Sequence, residues 1–128
     1  GLADILEVIK SLEQLGGRIA CAQASDATIA AIHKLHEDML ALYATRERLD
    51  YFKLNQAIHS AIVAASGNAV LAEMHTTLQA RIKRLRFVGA VAEHEDMMAA
   101  LLKRDGDALA EAIGRHMDTT LVRVREVL

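Results

Sequence analysis

Asparagine and histidine side chains at helical spacing are the groups in this sequence best suited to metal chemistry. In the stretch LNQAIHSAIVAASGN, Asn55 and His59 are four residues apart, so on an α-helix they share one face. The same helix must bury Ile58 and Ile62, which places polar groups beside an apolar surface. An amide oxygen and an imidazole in such a place are potential ligands of a divalent metal ion.

His94 and His116 form a second pair, and Asp105 in the turn sequence RDGD lies midway between them. Residues equidistant from the turn of an antiparallel helix pair lie at the same level, here about 16 Å from the turn. If both imidazoles point inward, they face each other. With Asn55 and His59 from a third helix they would make three nitrogen donors and one oxygen, which suits Zn, Ni, Cu, Mn or Fe. The spacing does not show that the third helix packs there, so structural histidines remain an alternative.

The remaining histidines give weaker indications. His33 and His36 lie three residues apart beside Glu37 and Asp38, a pattern that favours a solvent-exposed polar face over a metal site. His75 has no evident partner in the sequence. The two HEDM sequences lack the second histidine of the zinc-protease motif HExxH, and no Glu-x-x-His pair or glycine-rich phosphate loop is present.

Composition limits the class of protein. The 128 residues contain no proline and many good helix formers, so the composition predicts helix throughout one domain. The net charge of −2 gives no reason to expect nucleic-acid binding by this chain itself. The single cysteine, Cys21, suits a reducing compartment. We find no signal peptide and no uncharged apolar run long enough to span a bilayer, and we predict a soluble cytoplasmic protein without a membrane partner.

Apolar residues recur at helical spacing in six segments, beginning with residues 2–22. The pair Gly16-Gly17 within the first segment favours close approach of a neighbouring backbone. We predict caps or breaks at Ser25-Asp26, at 46–50 with Asp50 as cap, at 66–68, at Gly89 and at Gly106 with Asp107 as cap. The short connections predict an all-α fold, an antiparallel bundle of about six helices over residues 1–128.

Three stretches together resemble a known family. They are LADILEVIKSLEQLGGRIACAQASD, which includes Glu13, NQAIHSAIVAASGN, where the family has D-x-x-F-H before G-N, and EHEDMMAALLKRDGDALAEAIGRHM. In this order they resemble the FCD domain (FadR C-terminal domain), the effector-binding module of GntR-family bacterial transcription regulators. The resemblance implies that residues 1–128 form a ligand-binding and dimerisation domain. It also implies that an N-terminal winged-helix DNA-binding domain is absent from this chain.

The resemblance also implies a metal site, because a branch of the family binds a divalent metal through an Asp and three His. Those positions here are Asn55, His59, His94 and His116, and we expect Zn or Ni. Asn55 in place of the usual Asp removes a negative charge, so we expect a weaker site.

Two further departures concern other positions. Ile58 replaces the usual Phe, which affects packing only, whereas Ile9 occupies the position of an Arg that meets the effector in many relatives. We therefore do not expect that effector contact here.

A small organic acid is the expected effector. Three imidazoles and an amide leave the metal charge uncompensated inside the bundle, which is costly unless an anion binds. Counting from the turn at Gly67-Asn68, Asn55 is level with Ala80, so Arg81 and Arg84 are candidate effector-binding residues. The alternative for these arginines is a solvated basic face.

The favoured hypothesis is an effector-sensing regulatory domain, not an enzyme, that forms a homodimer and reaches operator DNA only through the absent N-terminal domain. One alternative is a small helical metalloenzyme whose metal activates water. It lacks an obvious general base, because Glu93 and Glu95 are predicted to point away from the face of His94. The other alternative is a metal-free helical interaction module with structural histidines.

Overall fold

The structure, a computed structural model, describes the backbone of residues 1–82 and 91–127 and the side chains of 1–82 and 92–120. This part of the chain forms six α-helices and contains no β-strand, which confirms the predicted all-α fold. The helices are α1 (Leu2–Gln23), α2 (Asp26–Ala44), α3 (Arg48–Ala64), α4 (Ala69–Ile82), α5 (Val91–Leu102) and α6 (Gly106–Val127). None of them is both long and apolar enough to cross a bilayer.

Helices that follow each other along the chain pack together in three cases: α2 with α3, α3 with α4, and α5 with α6. The connections 45–47, 65–68 and 103–105 are short, so α2–α3, α3–α4 and α5–α6 are antiparallel neighbours. Helix α1 packs against α3, α4 and α6, and α2 also packs against α5. The core between them consists mainly of aliphatic side chains: Leu6, Ile9, Ile29, Ile32, Met39, Ile58, Ile62, Met97, Leu101, Leu109 and Ile113.

Two of the predicted helix caps are confirmed. At the start of α2, the hydroxyl of Ser25 accepts a hydrogen bond from the backbone N–H of Thr28 (3.1 Å). At the start of α4, the amide oxygen of Asn68 accepts one from the backbone N–H of Leu71 (3.0 Å). Gly67 has φ +72°, the left-handed conformation that favours glycine between helices.

The start of α3 differs from the prediction. The helix begins at Arg48, and Glu47 rather than Asp50 is the residue before it. The turn is made by Arg46, which has φ 61°, so the chain is already helical when it reaches Asp50. Asp50 lies in the first turn of α3, where its charge still favours the helix N-terminus.

The α5–α6 turn also differs in detail. Asp105, not Asp107, caps α6, because its carboxylate accepts a hydrogen bond from the backbone N–H of Ala108 (3.0 Å). The left-handed residue is Arg104 (φ 56°) rather than Gly106. The guanidinium of Arg104 donates hydrogen bonds to the carbonyl of Cys21 (3.2 Å) and to Asp26 (2.7 Å). These bonds tie the turn to α1 and α2 and offset the cost of its backbone conformation.

Close approach of α1 and α3 is confirmed at Gly16. A Cβ atom at this position would lie 3.2 Å from the Cα of Val63. Because Glu13 is one helical turn before Gly16, the close contact brings the side chain of Glu13 to the face of α3. The predicted break at Gly89 lies outside the described residues.

Candidate metal centre

The structure brings three histidines together in the middle of the bundle. His59 on α3, His94 on α5 and His116 on α6 each offer a ring nitrogen, and these nitrogens lie within 4.8 Å of one another. All three side chains are buried. The ring centroids of His94 and His116 are 4.8 Å apart, as expected for residues equidistant from the α5–α6 turn. A group of neutral imidazoles in this arrangement can hold a divalent metal ion.

Asn55 is buried one helical turn from His59, and its Oδ1 has no hydrogen-bond partner among the described residues. Both ring nitrogens of His94 are likewise buried without a partner in this part of the chain. A buried polar atom without a partner destabilises a fold by about 1–3 kcal/mol. A cation bound by Asn55 Oδ1 and by the one ring nitrogen of His94 that carries a lone pair would remove most of that cost, so these atoms fit a metal ion.

Glu13 on α1 is a residue of this site that was not predicted from the sequence. Its carboxylate is buried and accepts hydrogen bonds from Nδ1 of His59 and from Nε2 of His75 (3.0 Å). An ionised carboxylate only accepts, so Nδ1 of His59 carries a proton, and in the neutral ring Nε2 then has the lone pair. That tautomer is the one a metal needs at Nε2.

A signal for Glu13 is present in the sequence. The buried side of α1 carries Leu6, Ile9, Gly16 and Ala20, and Glu13 continues the same helical spacing. A carboxylate at a core position requires a buried partner. His75, which had no evident partner in the sequence, is one of the two partners found.

Glu93 corrects a second expectation. It was predicted to point away from the site, but its Oε1 accepts a hydrogen bond from Nδ1 of His116 (3.1 Å). The side chain spans from α5 to the adjacent α6, where the two helices pack together. Glu13 and Glu93 thus place two carboxylates directly behind two of the imidazoles. These carboxylates would compensate part of the charge of a bound metal, so an anionic effector is needed less for charge balance than the sequence predicts.

Burial keeps two of the histidines neutral. Desolvation, followed by the nearby charges of His59 and His116, holds the pKa of His94 well below its ordinary value. Burial and the charge of His59 lower the pKa of His116 to about 4. Burial raises the pKa of Glu13, but the charges of and hydrogen bonds from His59 and His75 outweigh it, and the net shift is downward. His94 and His116 are therefore unprotonated at neutral pH, which is the form of the imidazole that binds metals.

His36 lies beside the cluster, which overturns the expected solvent-exposed position of this residue. Its side chain is buried, and its ring is nearly parallel to that of His94 with centroids 6.3 Å apart. The side chain of His36 points inward because one side of α2, which also carries Ile32 and Met39, is buried where α2 packs against α5. His33, one turn earlier, is half-exposed and contacts Glu37 (3.0 Å).

The two predicted effector-binding arginines are not part of the cluster. Arg81 is exposed in the last turn of α4, and Arg84 lies outside the described residues. The residue that α4 contributes near the site is His75, through Glu13. A role for either arginine stays a prediction.

Comparison with known proteins identifies the relatives of this chain. It is 26% identical over 103 aligned positions to the HTH-type transcriptional repressor RspR of Escherichia coli K12, covering 73% of this chain and 44% of RspR. It is 26% identical over 144 positions to the HTH-type transcriptional repressor GlaR of the same organism, covering 99% of this chain and 66% of GlaR. The chain therefore spans less than two thirds of either relative.

A solved structure shares the fold. E. coli McbR/YncC superposes with a TM-score of 0.86 at 17% identity, over 98% of this chain and 64% of that one. A family model described as FCD domain matches residues 4–119. The chain belongs to the FCD domain family.

Proposed function

We propose that this chain is the effector-sensing regulatory domain of a bacterial transcription factor and that it binds a divalent metal ion through Asn55, His59, His94 and His116. The observation that carries the proposal is the buried group of three imidazoles, together with the buried Asn55 one helical turn before His59, whose Oδ1 has no partner among the described residues. Burial of Asn55 Oδ1 and of the His94 ring without partners in the described part of the chain is unfavourable in a purely structural core and is explained by a bound cation.

The residues around the donors support the same role. Glu13 and Glu93 orient His59 and His116 and fix the proton on Nδ1 of each ring, which is the arrangement typical of metal-binding histidines. Imidazole donors suit Zn or Ni. When bound, the ion would supply Lewis-acid positions for an oxygen ligand. Asn55 contributes a neutral amide oxygen, which binds a cation less strongly than a carboxylate does.

The effector we propose is a small organic acid. A carboxylate oxygen can bind the metal directly, and a weak amide ligand leaves the ion with more affinity for it. Arg81 and Arg84 remain candidates for a second contact to the acid. Glu93 is engaged with His116, which leaves it poorly placed to act as a general base and favours a sensor over an enzyme.

DNA binding is assigned to another part of the protein. The relatives are named HTH-type transcriptional repressors, and this chain spans only part of their length. We therefore place operator recognition in an N-terminal winged-helix domain, with two copies of this domain forming a homodimer in the cytoplasm. The effector would change operator affinity only by binding one arrangement of the dimer better than another.

Metal content tests the proposal. The wild-type domain, purified without chelators or metal resins, is compared by mass spectrometry with the double variant His94→Ala/His116→Ala and the control His33→Ala. We expect close to one Zn or Ni per chain in the wild type and the control, and none in the double variant. A wild type that takes up neither ion when both are supplied would exclude the metal site.

Effector binding is tested separately. Thermal unfolding of metal-loaded and metal-free protein is followed with a panel of small mono- and dicarboxylic acids. We expect at least one acid to stabilise the loaded protein and not the metal-free protein. Equal stabilisation of both forms would show that the acid does not bind through the metal.

A further inference from the structure

We propose that His36 and His33 form a loading path through which a divalent metal ion passes from solvent to the buried histidine cluster. The inference rests on the proposed metal-binding function. Three imidazoles lie in a row from the surface inward. The centroid of His33 is 6.4 Å from that of His36, which is 6.3 Å from that of His94.

His36 is the central observation. Its side chain is 4% exposed, and its Nδ1 has no hydrogen-bond partner among the described residues. Its neighbours on the same side of α2 are Ile32 and Met39, so an aliphatic residue would fit there without an unpaired nitrogen. A buried ring nitrogen without a partner is therefore unexplained by packing, and it is explained by a ligand that binds it transiently.

His36 stands beside the cluster and does not belong to it. The nitrogens that converge within 4.8 Å come from His59, His94 and His116 only, among the described residues. The ring of His36 stacks at 11° to the ring of His94 instead of pointing at the common centre. A donor in this position can hold an ion in transit without being one of its final ligands.

The buried cluster requires such a path. An ion that leaves water for a closed helical core loses its hydration, and an unsupported ion there is strongly unfavourable. Nitrogen donors met one after another replace water ligands stepwise and lower the barrier. At the outer end, half-exposed His33 contacts the carboxylate of Glu37 (3.0 Å), and this pair offers a first contact for a cation.

The test is the rate of metal uptake. Metal-free wild type, His36→Leu and His33→Ala are mixed with Co²⁺, and the visible absorption of the bound ion is followed by stopped flow. Release is measured by adding excess chelator. Lys34→Ala is the control, because Lys34 is exposed on α2 and its salt bridge is to Asp38. Circular dichroism and thermal unfolding check that each variant is folded.

For His36→Leu we expect uptake and release to slow by the same factor, at least about tenfold, with the equilibrium affinity unchanged. For His33→Ala, which removes only the outer donor, we expect a smaller slowing of about two- to threefold. Because His33 is half-exposed, we expect His33→Ala to fold normally. This variant therefore tests the path even if His36→Leu is unstable. Lys34→Ala should load like the wild type.

Three results would overturn the inference. Unchanged rates in both histidine variants would show that the ion enters elsewhere, while the metal site itself stands. A loss of equilibrium affinity in His36→Leu with normal uptake would make His36 a resident ligand. If the wild type takes up no Co²⁺ or Zn²⁺ at all, the proposed function fails together with the path, and this outcome is distinct from the other two.

Discussion

Glu13 on α1 accepts a hydrogen bond from Nδ1 of His59 on α3, and both side chains are buried. The carboxylate fixes the tautomer of His59 and supplies negative charge behind a proposed metal ligand. We expect Glu13→Gln to weaken metal binding by about 10–100-fold, as is typical when the partner of a metal-binding histidine is lost. Competition with a chromophoric chelator measures the affinity.

The control for this change is Glu7→Gln, which removes the same charge from an exposed position on the same helix. It should leave the affinity unchanged. Equal affinities for the wild type and Glu13→Gln would limit Glu13 to a structural role.

Asn55→Asp should strengthen metal binding. A carboxylate replaces a neutral amide at nearly the same size, and we expect a gain of about tenfold or more in affinity for Zn²⁺, equivalent to roughly 1.4 kcal/mol. Without metal, the same substitution should destabilise the fold, because it buries a charge at a site that is 2% exposed.

Gln56→Glu is the matched control for Asn55→Asp. It adds the same charge one residue along α3, where Gln56 accepts a hydrogen bond from Gln79 (2.8 Å) outside the cluster. Both effects should be absent in Gln56→Glu. If it raises the affinity as much as Asn55→Asp does, the gain comes from general electrostatics and not from coordination.

The metal-free protein should lose stability as the pH falls from about 6.5 toward 4. The pKa of His116 is lowered to about 4 by burial and by His59, whereas in the unfolded chain a histidine titrates near 6.5. The unfolded state therefore binds more protons in this window, and the free energy of unfolding falls as pH falls, by up to about 1.4 kcal/mol per pH unit for this residue.

Urea unfolding of metal-free wild type and His116→Leu at pH 7.5 and 5.5 measures this effect. The variant lacks the titrating group, so its free energy of unfolding should change less between the two pH values. A steeper change in the variant would show that His116 does not destabilise the native state as the pH falls.

Arg104→Gly should destabilise the protein less than Arg104→Ala. Both substitutions remove the bonds to Cys21 and Asp26, but only alanine keeps a side chain at φ 56°. We expect Arg104→Gly to be the more stable of the two by about 1 kcal/mol in urea unfolding. At exposed Glu111, within α6, the order should reverse, because alanine favours a helix interior. The same order at both positions would argue against backbone strain at Arg104.

The fold followed from the sequence because the periodic apolar segments and short breaks specify helices and their neighbours. The position of His94 opposite His116 followed from the sequence, because the two residues are equidistant from Asp105 in the α5–α6 turn. Helix starts were less predictable, since Arg46 and Arg104 adopt left-handed conformations that their residue type does not favour.

The surroundings of the cluster could not be predicted in the same way. Glu13 and His75 meet only because α1 packs against both α3 and α4, and that packing is a property of the whole bundle. His36 was placed on the wrong side of α2 because its polar neighbours in sequence, Glu37 and Asp38, suggested solvent. A histidine in a helix with both polar and apolar residues can lie on the buried or the exposed face. Which of the two it is depends on the helix that packs against it.

The donors of the proposed site come from α3, α5 and α6, and Glu13 adds α1. Helix α1, helix α3 and the α5–α6 pair are separated along the chain by other helices, so a bound ion would join segments that otherwise open independently. Amide hydrogen exchange should then report one cooperative opening unit for the four helices in the loaded protein and several smaller units in the metal-free protein. The metal would in this way set how the domain fluctuates, and an effector that changes the ion's coordination would change those fluctuations throughout the bundle.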